Sequence, residues 1–335
     1  MRGLVIAVCT FTALLITILL FQQYKQNLPV LGSEGVDSVN PLLYIPPIGL
    51  GTWQIPKSKT AEVVKVAIEE GYRHIDAALI YGNEKEIGQG IAQSRIPRSS
   101  LWVTGKLWND AHDPSAVRPA VEKTLKDLGL SYLDLYLMHW PVAFYPDTGR
   151  EIVVDSDSSL LQTWFAMEDL VREGIVRQIG VCNFNKAQLQ QIRSYAHIQP
   201  TVHEFETHPY LQQSDFVKWN LQHGIRVIAY SPLGNMNPIY HSSETPMLQD
   251  PLLVSLADGK GISVAQLVLA WGMHRGVIMI PKSEHVARVS ENFQAQHVRL
   301  TAKEIQIIDA RDEKHRFNNP SQEWGVELYS GLDGA

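Results

Sequence analysis

Residues 101 to 139, LWVTGKLWNDAHDPSAVRPAVEKTLKDLGLSYLDLYLMH, decide the class of fold. Two short apolar runs, 101–107 and 133–139, enclose a segment with helical spacing, 114–129, that ends at a glycine. A strand, a helix and a second strand in this order predict two parallel strands, because antiparallel neighbours need only a short turn between them. The stretch therefore predicts one βαβ unit.

The same alternation extends along most of the chain. Further strand candidates are residues 47–53, 74–78, 176–182, 200–205, 226–232 and 277–283, and further helix candidates are residues 60–71, 159–174 and 263–276. Eight strands with intervening helices over about 250 residues favour an α/β fold of the (β/α)8 TIM barrel type, built as a single domain. An open doubly wound sheet of the Rossmann type is disfavoured, since no strand is followed by G-x-G-x-x-G.

Composition and charge exclude several classes of protein. The chain is 45% hydrophobic and 19% charged, which is typical of a folded core. Its net charge is −6 and no Lys/Arg cluster is interleaved with aromatic residues, so a nucleic-acid partner is not expected. Cys9 and Cys182 are the two cysteines, so neither a disulfide framework nor a cysteine zinc site is predicted, and we expect no metal.

The N-terminus contains a membrane signal. Residues 3–21, GLVIAVCTFTALLITILLF, have no charged side chain, and about 20 apolar residues are needed to cross a bilayer. A cleaved signal peptide has a shorter apolar region and a small-x-small site, so residues 1–22 are interpreted as an uncleaved signal anchor. Cleavage and entry into the secretory pathway remain the alternative. Residues 23–43 form a predicted linker, and residues 44–335 the predicted barrel with a C-terminal tail.

The location of the barrel is predicted from two absences in the sequence. The chain has no proline-free Asn-x-Ser/Thr acceptor and no cysteine pair within the barrel, so nothing favours a lumenal or secreted domain. We therefore expect a single N-terminal span with the barrel, as a monomeric domain, facing the cytosol.

Four chemically useful side chains lie where a barrel of this type has its active site, at the carboxyl ends of strands. Asp76, Lys106 and His139 each fall at or near a strand end, and Tyr81 follows Asp76 in a loop. Each residue alone has an ordinary structural explanation. Together they are harder to dismiss, because a buried lysine needs a counter-charge and Asp76 can supply it. A lysine beside a tyrosine lowers the phenol pKa from about 10, so Tyr81 is predicted to act as an acid in carbonyl reduction.

The motifs around these residues carry a family resemblance. Residues 71–88 (GYRHIDAALIYGNEKEIG), 103–108 (VTGKLW), 135–141 (LYLMHWP), 207–211 (THPYL), 229–234 (AYSPLG) and 280–283 (IPKS) resemble the aldo-keto reductase superfamily in order and spacing. The resemblance covers about residues 44–330 and implies an NADP-dependent oxidoreductase. It assigns Tyr81 as the proton donor, Lys106 and Asp76 as the residues that tune it, and His139 as the residue that orients the carbonyl.

The hydride must come from a cofactor, since no side chain supplies one. The resemblance implies NADPH/NADP+, with residues 281–293 (PKSEHVARVSENF) as the cofactor segment and with Lys282 and Arg288 as cations for the 2′-phosphate. The implied cofactor contacts are Thr52, Trp53, Asp76, Cys182, Asn183, Glu204, Tyr230, Ser231, Leu233, Lys282, Ser283, His285, Arg288, Glu291 and Asn292. Tyr230 would stack on the nicotinamide, and His285, when protonated, would add to the phosphate site.

The sequence departs from the family pattern at the predicted carboxamide pocket. The family usually has Ser-Asn and then Gln, where this chain has Cys182-Asn183 and Glu204. An ionised carboxylate accepts hydrogen bonds but cannot donate them. We therefore expect altered cofactor geometry or affinity, with the negative charge disfavouring the oxidised cofactor less than the reduced one.

The predicted substrate pocket is aromatic. It comprises Trp53, Tyr81, Trp108, His139 and Trp140, and three indoles favour apolar or aromatic aldehydes and ketones. Two other functions would use some of the same residues. A barrel glycosidase would use Asp76 and Glu204 as paired carboxylates, but a lysine beside Asp76 and the NADPH segment would then go unexplained. A membrane-tethered NADPH-binding redox sensor with slow turnover, like the auxiliary channel subunits of the superfamily, remains the alternative.

Overall fold

The computed structural model describes residues 44–146, 159–234 and 245–334. Within these ranges eight strands form one sheet in which every neighbouring pair is parallel and the strands follow chain order. The strands are β1 Leu50–Gly51, β2 His74–Asp76, β3 Trp102–Leu107, β4 Leu135–Met138, β5 Ile179–Cys182, β6 Val202–Glu206, β7 Arg226–Tyr230 and β8 Ile278–Met279.

The sheet closes into a barrel through the segment around β1. Ile48 forms a parallel bridge with Met279, and Gly51 forms one with Lys282. The Gly49 amide donates to Met279 O at 2.9 Å, and the Met279 amide donates to Pro47 O at 3.0 Å. A side chain at Gly51 would place its Cβ 2.7 Å from Ile280 O, so this close approach requires glycine. The eight parallel strands therefore form a barrel, as the alternation of elements predicts.

Helices lie between successive strands and after the last one. They are α1 Lys57–Glu70, α2 Glu84–Ser94, α3 Pro114–Leu128, α4 Leu160–Arg172, α5 Lys186–Tyr195, α6 Ser214–Gln222, α7 Pro251–Lys260, α8 Val264–His274, α9 Val286–Gln294, α10 Ala302–Asp309 and α11 Ser321–Trp324. Local signals set several bounds. Asp113 accepts a hydrogen bond from the Ser115 amide before α3, and Gly129 ends that helix with φ of 66°.

Alternation along the strands separates two cores. Leu135, Leu137 and Ile228 belong to a cluster inside the barrel, whereas Tyr136 and Met138 pack in the larger cluster beneath the helices. Successive strand residues point to opposite faces, so every second residue points into the barrel. By this alternation Asp76, Lys106, Cys182 and Glu204 all face inward near the carboxyl ends of their strands.

The membrane prediction falls mainly on residues that the structure does not describe. Residues 1–22 and the linker 23–43 lie outside the described ranges, so the anchor stays a prediction. Within the described residues no single helix has the length and apolar character to cross a membrane. The α7–α8 pair passes that test together, with a bend of 91° between its helices.

Candidate active site

Lys106 is the centre of a buried polar cluster at the mouth of the barrel. Its ammonium lies 2.6 Å from Asp76 Oδ2 and 3.3 Å from the Tyr81 hydroxyl, and it donates to Ala77 O at 3.2 Å. A second carboxylate, that of Glu204, lies 3.4 Å from the same ammonium. Lys106 is fully buried, and burial alone would lower its pKa, but the carboxylates of Asp76 and Glu204 raise that pKa well above its usual value. The lysine is therefore a fixed cation.

The two carboxyl groups differ in their contact with this cation. Burial, followed by the neighbouring Asp76 carboxylate, raises the pKa of Glu204 to about 8, against the opposing effect of Lys106. Burial also raises the pKa of Asp76, but its shorter contact with Lys106 favours the ionised form at Asp76. The cluster therefore has one firm ion pair, Lys106–Asp76, and one acid that titrates near neutral pH.

Tyr81 lies in the turn after β2, with its hydroxyl on Lys106. Burial of the phenol raises its pKa above the usual 10, Lys106 lowers it, and the carboxylates of Asp76 and Glu204 raise it further. Lys106 acts in the direction that the sequence predicts, but the net shift is the opposite one, because burial is the larger effect. Tyr81 is consequently protonated at neutral pH.

His139 follows β4 directly and lies between Tyr81 and Trp108. The ring centroids are 5.8 Å from Tyr81 and 5.2 Å from Trp108, both in edge-on geometry. Burial, and then the nearby charge of Lys106, lower the pKa of His139 well below its usual value. The imidazole is therefore neutral and can donate one hydrogen bond through the nitrogen that carries its proton.

These side chains border a cavity of about 1210 Å³ at the carboxyl end of the barrel. Asp76, Tyr81, His139 and Glu204 line it, whereas Lys106 is buried and reaches it through Tyr81. The aromatic side chains of Trp53, Trp108 and Trp140 line the same space. Acid chemistry and an apolar binding surface therefore lie in one cavity.

A cationic region of this cavity lies around β8 and α9. Lys282 and Arg288 are both exposed, and Ser283 is buried, with its hydroxyl accepting from the His285 amide at 3.1 Å. His285 precedes the first turn of α9, whose free N–H groups add positive charge. This arrangement suits a phosphate group.

Glu284 supplies the opposite charge in the cationic region. Its carboxylate lies 3.4 Å from the Lys59 ammonium and 3.7 Å from the His285 imidazole. Part of the positive charge around the predicted phosphate site is therefore already compensated by the protein.

Asn183 and Tyr230 both line the cavity and are joined by a hydrogen bond. Asn183 donates to His139 O at 3.1 Å and accepts from the Tyr230 hydroxyl at 2.7 Å. Asn318, from the C-terminal segment, donates to the same hydroxyl at 3.3 Å. These hydrogen bonds fix the position of the Tyr230 ring in the cavity.

Comparisons with known proteins agree with this geometry. Residues 47–313 match the model of the aldo/keto reductase family. The chain belongs to the aldo/keto reductase family. An uncharacterised oxidoreductase of Schizosaccharomyces pombe is 44% identical over 86% of this chain and 92% of its own length. Aldo-keto reductase family 1 member A1 of Mus musculus is 40% identical over 82% of this chain and 89% of its own.

Solved structures of other family members are similar to this aldo/keto reductase. An aldose reductase from Giardia lamblia superimposes with a TM-score of 0.80 and 36% identity, covering 85% of this chain and 99% of that chain. A Bombyx mori aldo-keto reductase in complex with NADP gives the same TM-score and identity over 87% of this chain and 97% of that chain. The protein is thus an oxidoreductase of this family.

The aldo/keto reductase cavity brings together most of the residues predicted from sequence. The predicted residues that line it are Thr52, Trp53, Asp76, Tyr81, Trp108, His139, Trp140, Asn183, Glu204, Tyr230, Ser231, Leu233, Lys282, Ser283, His285, Arg288, Glu291 and Asn292. Cys182 is the exception among the cofactor predictions, because its side chain packs in the barrel interior with Leu137 and Val202 and does not line the cavity. For all of the predicted cofactor residues, contact with a cofactor stays a prediction.

Sequence reasoning missed the C-terminal wall of the site. Phe317, Asn318 and Trp324 line the cavity, and the Trp324 ring lies 4.8 Å from Trp140 in edge-on contact. The segment is held by Glu206, at the end of β6, whose two carboxylate oxygens accept from the Phe317 and Asn318 amides at 2.8 and 2.9 Å. No motif in residues 315–334 indicates this. The position of Glu206 at a strand end was the available signal.

Proposed function

We propose that this protein reduces an aldehyde or ketone to the alcohol with NADPH, with Tyr81 as the proton donor. The observation that carries the proposal is the contact of the Lys106 ammonium with both the Tyr81 hydroxyl and Asp76. A glycosidase is disfavoured by the same contact, because Asp76 and Glu204 share one lysine and do not face each other across an open substrate site.

The acid role of Tyr81 follows from its protonation. A phenol with a raised pKa holds its proton at neutral pH and donates it only to a strong base, such as the alkoxide that develops as a carbonyl is reduced. Lys106 lies beside the phenolate oxygen that this step leaves behind, and stabilises it. The reductive direction is favoured over oxidation, which would need the phenolate at the start.

Neutral His139 positions the substrate. An imidazole that cannot hold a second proton donates one hydrogen bond to a carbonyl oxygen without adding a charge that would compete with Lys106. Its edge-on contacts with Tyr81 and Trp108 restrict its orientation. The carbonyl oxygen would therefore lie between the His139 ring and the Tyr81 hydroxyl.

The residues of the cavity fit NADPH. Its volume of about 1210 Å³ exceeds the ~300–1,000 Å³ of a typical small-molecule site, which leaves room for a dinucleotide and a substrate. Lys282, Ser283 and Arg288 would hold the 2′-phosphate, and Tyr230 would pack on the nicotinamide. When bound, the cofactor supplies the hydride. That a Bombyx mori relative is in complex with NADP supports the choice of cofactor.

The substrate that the cavity favours is an apolar or aromatic carbonyl compound. Trp53, Trp108, Trp140 and Trp324 line the space next to Tyr81 and His139. Planar aromatic surfaces favour flat, weakly polar groups over the hydroxyl-rich chain of a sugar.

The test uses the full chain in detergent. We expect NADPH consumption, followed by its absorbance, with benzaldehyde-type substrates and aryl ketones, and slower consumption with an aldose. Binding of NADPH without turnover on any carbonyl would favour the redox-sensor alternative, and absence of NADPH binding would refute both functions.

We also propose that residues 3–21 anchor the protein in a membrane with a monomeric barrel in the cytosol. The proposal rests on the apolar sequence alone. In intact microsomes the barrel should be digested by added protease. Protection of the barrel would refute the cytosolic orientation.

A further inference from the structure

The cluster at the barrel mouth contains one cation and two carboxyl groups. Lys106, Asp76 and Glu204 are each at most 2% exposed, and Lys106 contacts both acids, at 2.6 and 3.4 Å. If both acids were ionised, one negative charge would remain uncompensated inside the barrel. An uncompensated buried charge is costly, so an added proton on one carboxyl group is the more stable state.

Geometry assigns this proton to Glu204. Asp76 holds the shorter contact with Lys106, so its carboxylate is the better compensated. Asp76 Oδ1 and Glu204 Oε2 both have no hydrogen-bond partner in the described part of the chain, and both residues line the cavity, so the difference in their contacts with Lys106 decides the assignment. The Asp76 carboxylate also raises the pKa of Glu204, because two like charges beside one lysine repel each other. Burial raises the pKa of Glu204 to about 8, which agrees with this assignment.

The other groups that face Glu204 do not titrate in the same range. Burial raises the pKa of both Tyr81 and Cys182, so each is neutral near pH 7. Lys106 keeps its charge, and the neighbouring strand β7 pairs the apolar Ile228 with Glu204. Among the groups around Lys106, a change of charge near pH 7 is therefore carried by Glu204.

We propose that Glu204 is protonated in the free enzyme and releases this proton when the oxidised nicotinamide cofactor binds, because its carboxyl group both contacts Lys106 and lines the cavity. The proposal rests on the proposed function, since it requires NADP+ and NADPH to bind here. The oxidised ring carries a positive charge that favours the carboxylate, whereas the reduced ring is neutral and leaves the proton in place. The proton passes from Glu204 to solvent, and no bond in the cofactor changes.

The consequence is a cofactor preference that depends on pH. A group whose pKa falls on binding makes binding tighter as pH rises, between its pKa in the complex and its pKa in the free enzyme. The affinity for NADP+ should therefore increase by up to about tenfold per pH unit below pH 8 and then level off, while the affinity for NADPH stays unaffected by this group. A glutamine at this position cannot produce the effect.

The experiment is isothermal titration calorimetry of the full chain with NADP+ and with NADPH, at pH 7, in two buffers of different ionisation enthalpy. We expect release of about one proton more with NADP+ than with NADPH. The 2′-phosphate is common to both cofactors, so its titration cancels in this difference. When the titrations are repeated from pH 6 to pH 9, the dissociation constant of NADP+ divided by that of NADPH should fall as pH rises.

Variants identify the source of the proton. Glu204→Gln should abolish the difference between the cofactors, and Glu204→Asp should retain it. Tyr81→Phe and Glu284→Gln, which alter a neighbouring acid and a second carboxylate of the same cavity, should also retain it. Folding of each variant is checked by its thermal unfolding midpoint.

The outcomes separate two failures. Equal proton release with both cofactors in the wild type, or an unchanged difference in Glu204→Gln, overturns the role of Glu204 and leaves the proposed function intact. Absence of binding by either cofactor overturns the proposed function itself, and the role of Glu204 with it.

Discussion

The two regions of the cavity carry charge in opposite ways. At the catalytic region, Lys106 is fully buried and Asp76 and Glu204 are 2% exposed, and these groups contact one another directly. At the cationic region, Lys282 and Arg288 are exposed, and the nearby carboxylate of Glu284 is shared with Lys59 and His285.

The difference lies in what each region must do. Buried charges interact strongly and shift each other's pKa, so they can control a proton, but each depends on its partners. Exposed charges are screened by solvent and are largely independent, which suits attraction of a phosphate and not control of a proton. Substitutions at the catalytic region should therefore change rate and pH dependence, and those at the cationic region should change cofactor affinity.

The largest expected effect tests the catalytic region alone. Tyr81→Phe should lower kcat by about 10²- to 10⁴-fold, because the general acid is removed, with the NADPH dissociation constant changed by less than about twofold. Steady-state kinetics and fluorescence titration measure the two quantities. Tyr195→Phe, at an exposed tyrosine, is the control. A comparable loss of NADPH affinity in Tyr81→Phe would contradict the separation of the two regions.

Stability should depend on pH through Glu204. Its folded-state pKa of about 8 lies above the ~4.3 of an unfolded glutamate, so the folded state binds the extra proton between these values and loses stability as pH rises through that window. Between pH 5 and pH 8.5 the free energy of unfolding of the wild type should fall by on the order of 2–4 kcal/mol relative to that of Glu204→Gln, in which the other buried titratable groups are unchanged.

Urea unfolding of the cofactor-free protein across this pH range measures the stability difference. Glu62→Gln, at an exposed carboxylate, should keep the wild-type slope. The same slope in wild type and Glu204→Gln would mean that Glu204 is ionised throughout.

At the cationic region the affected quantity should be cofactor affinity. Arg288→Ala should weaken NADPH binding by about 10- to 100-fold, the value of a charged hydrogen bond, and change NADH binding by less than about twofold. Fluorescence titration with both cofactors measures this, with Arg299→Ala as an exposed arginine control. Equal losses for NADPH and NADH would refute the assignment of Arg288 to the 2′-phosphate.

The smallest effect is expected at the C-terminal wall, which belongs to neither region. Glu206→Gln replaces one of the two oxygens that accept from the Phe317 and Asn318 amides. We expect the KM for an aromatic aldehyde to rise about 3- to 10-fold, and faster proteolysis near residue 317, because one partly buried amide loses its acceptor. Glu327→Gln, on the exposed side of the segment, is the control. A fall in kcat with an unchanged KM would argue against a role in substrate binding.

The fold was largely predictable because its signals are local. Seven of the eight strands fall within a stretch predicted from periodicity, and β6 extends one residue beyond its stretch, to Glu206. Helix α3 begins and ends at the Asp113 and Gly129 signals. The positions of Asp76, Lys106 and His139 at strand ends follow from the same pattern. Strand alternation also directs Glu204 into the barrel, on the side where Lys106 lies.

The remainder of the site depends on contacts between distant parts of the chain. The hydrogen bond from the Phe317 amide to Glu206 spans 111 residues, and the tail that contains Phe317 carries no motif. The family pattern assigns Cys182 to the cofactor, and the structure places its side chain in the barrel interior with Leu137 and Val202, not among the residues that line the cavity. Neither result can be obtained from local sequence.

The sequence by itself determined the alternating elements, the barrel class and the four residues Asp76, Tyr81, Lys106 and His139, because periodicity and strand position are local properties. Only the tertiary structure decided that Lys106 has two acid partners and that the C-terminal segment forms a wall of the cavity. It also decided the pKa of Tyr81, which burial raises by more than Lys106 lowers it. The physical reason is that burial and charge compensation depend on groups far apart in sequence.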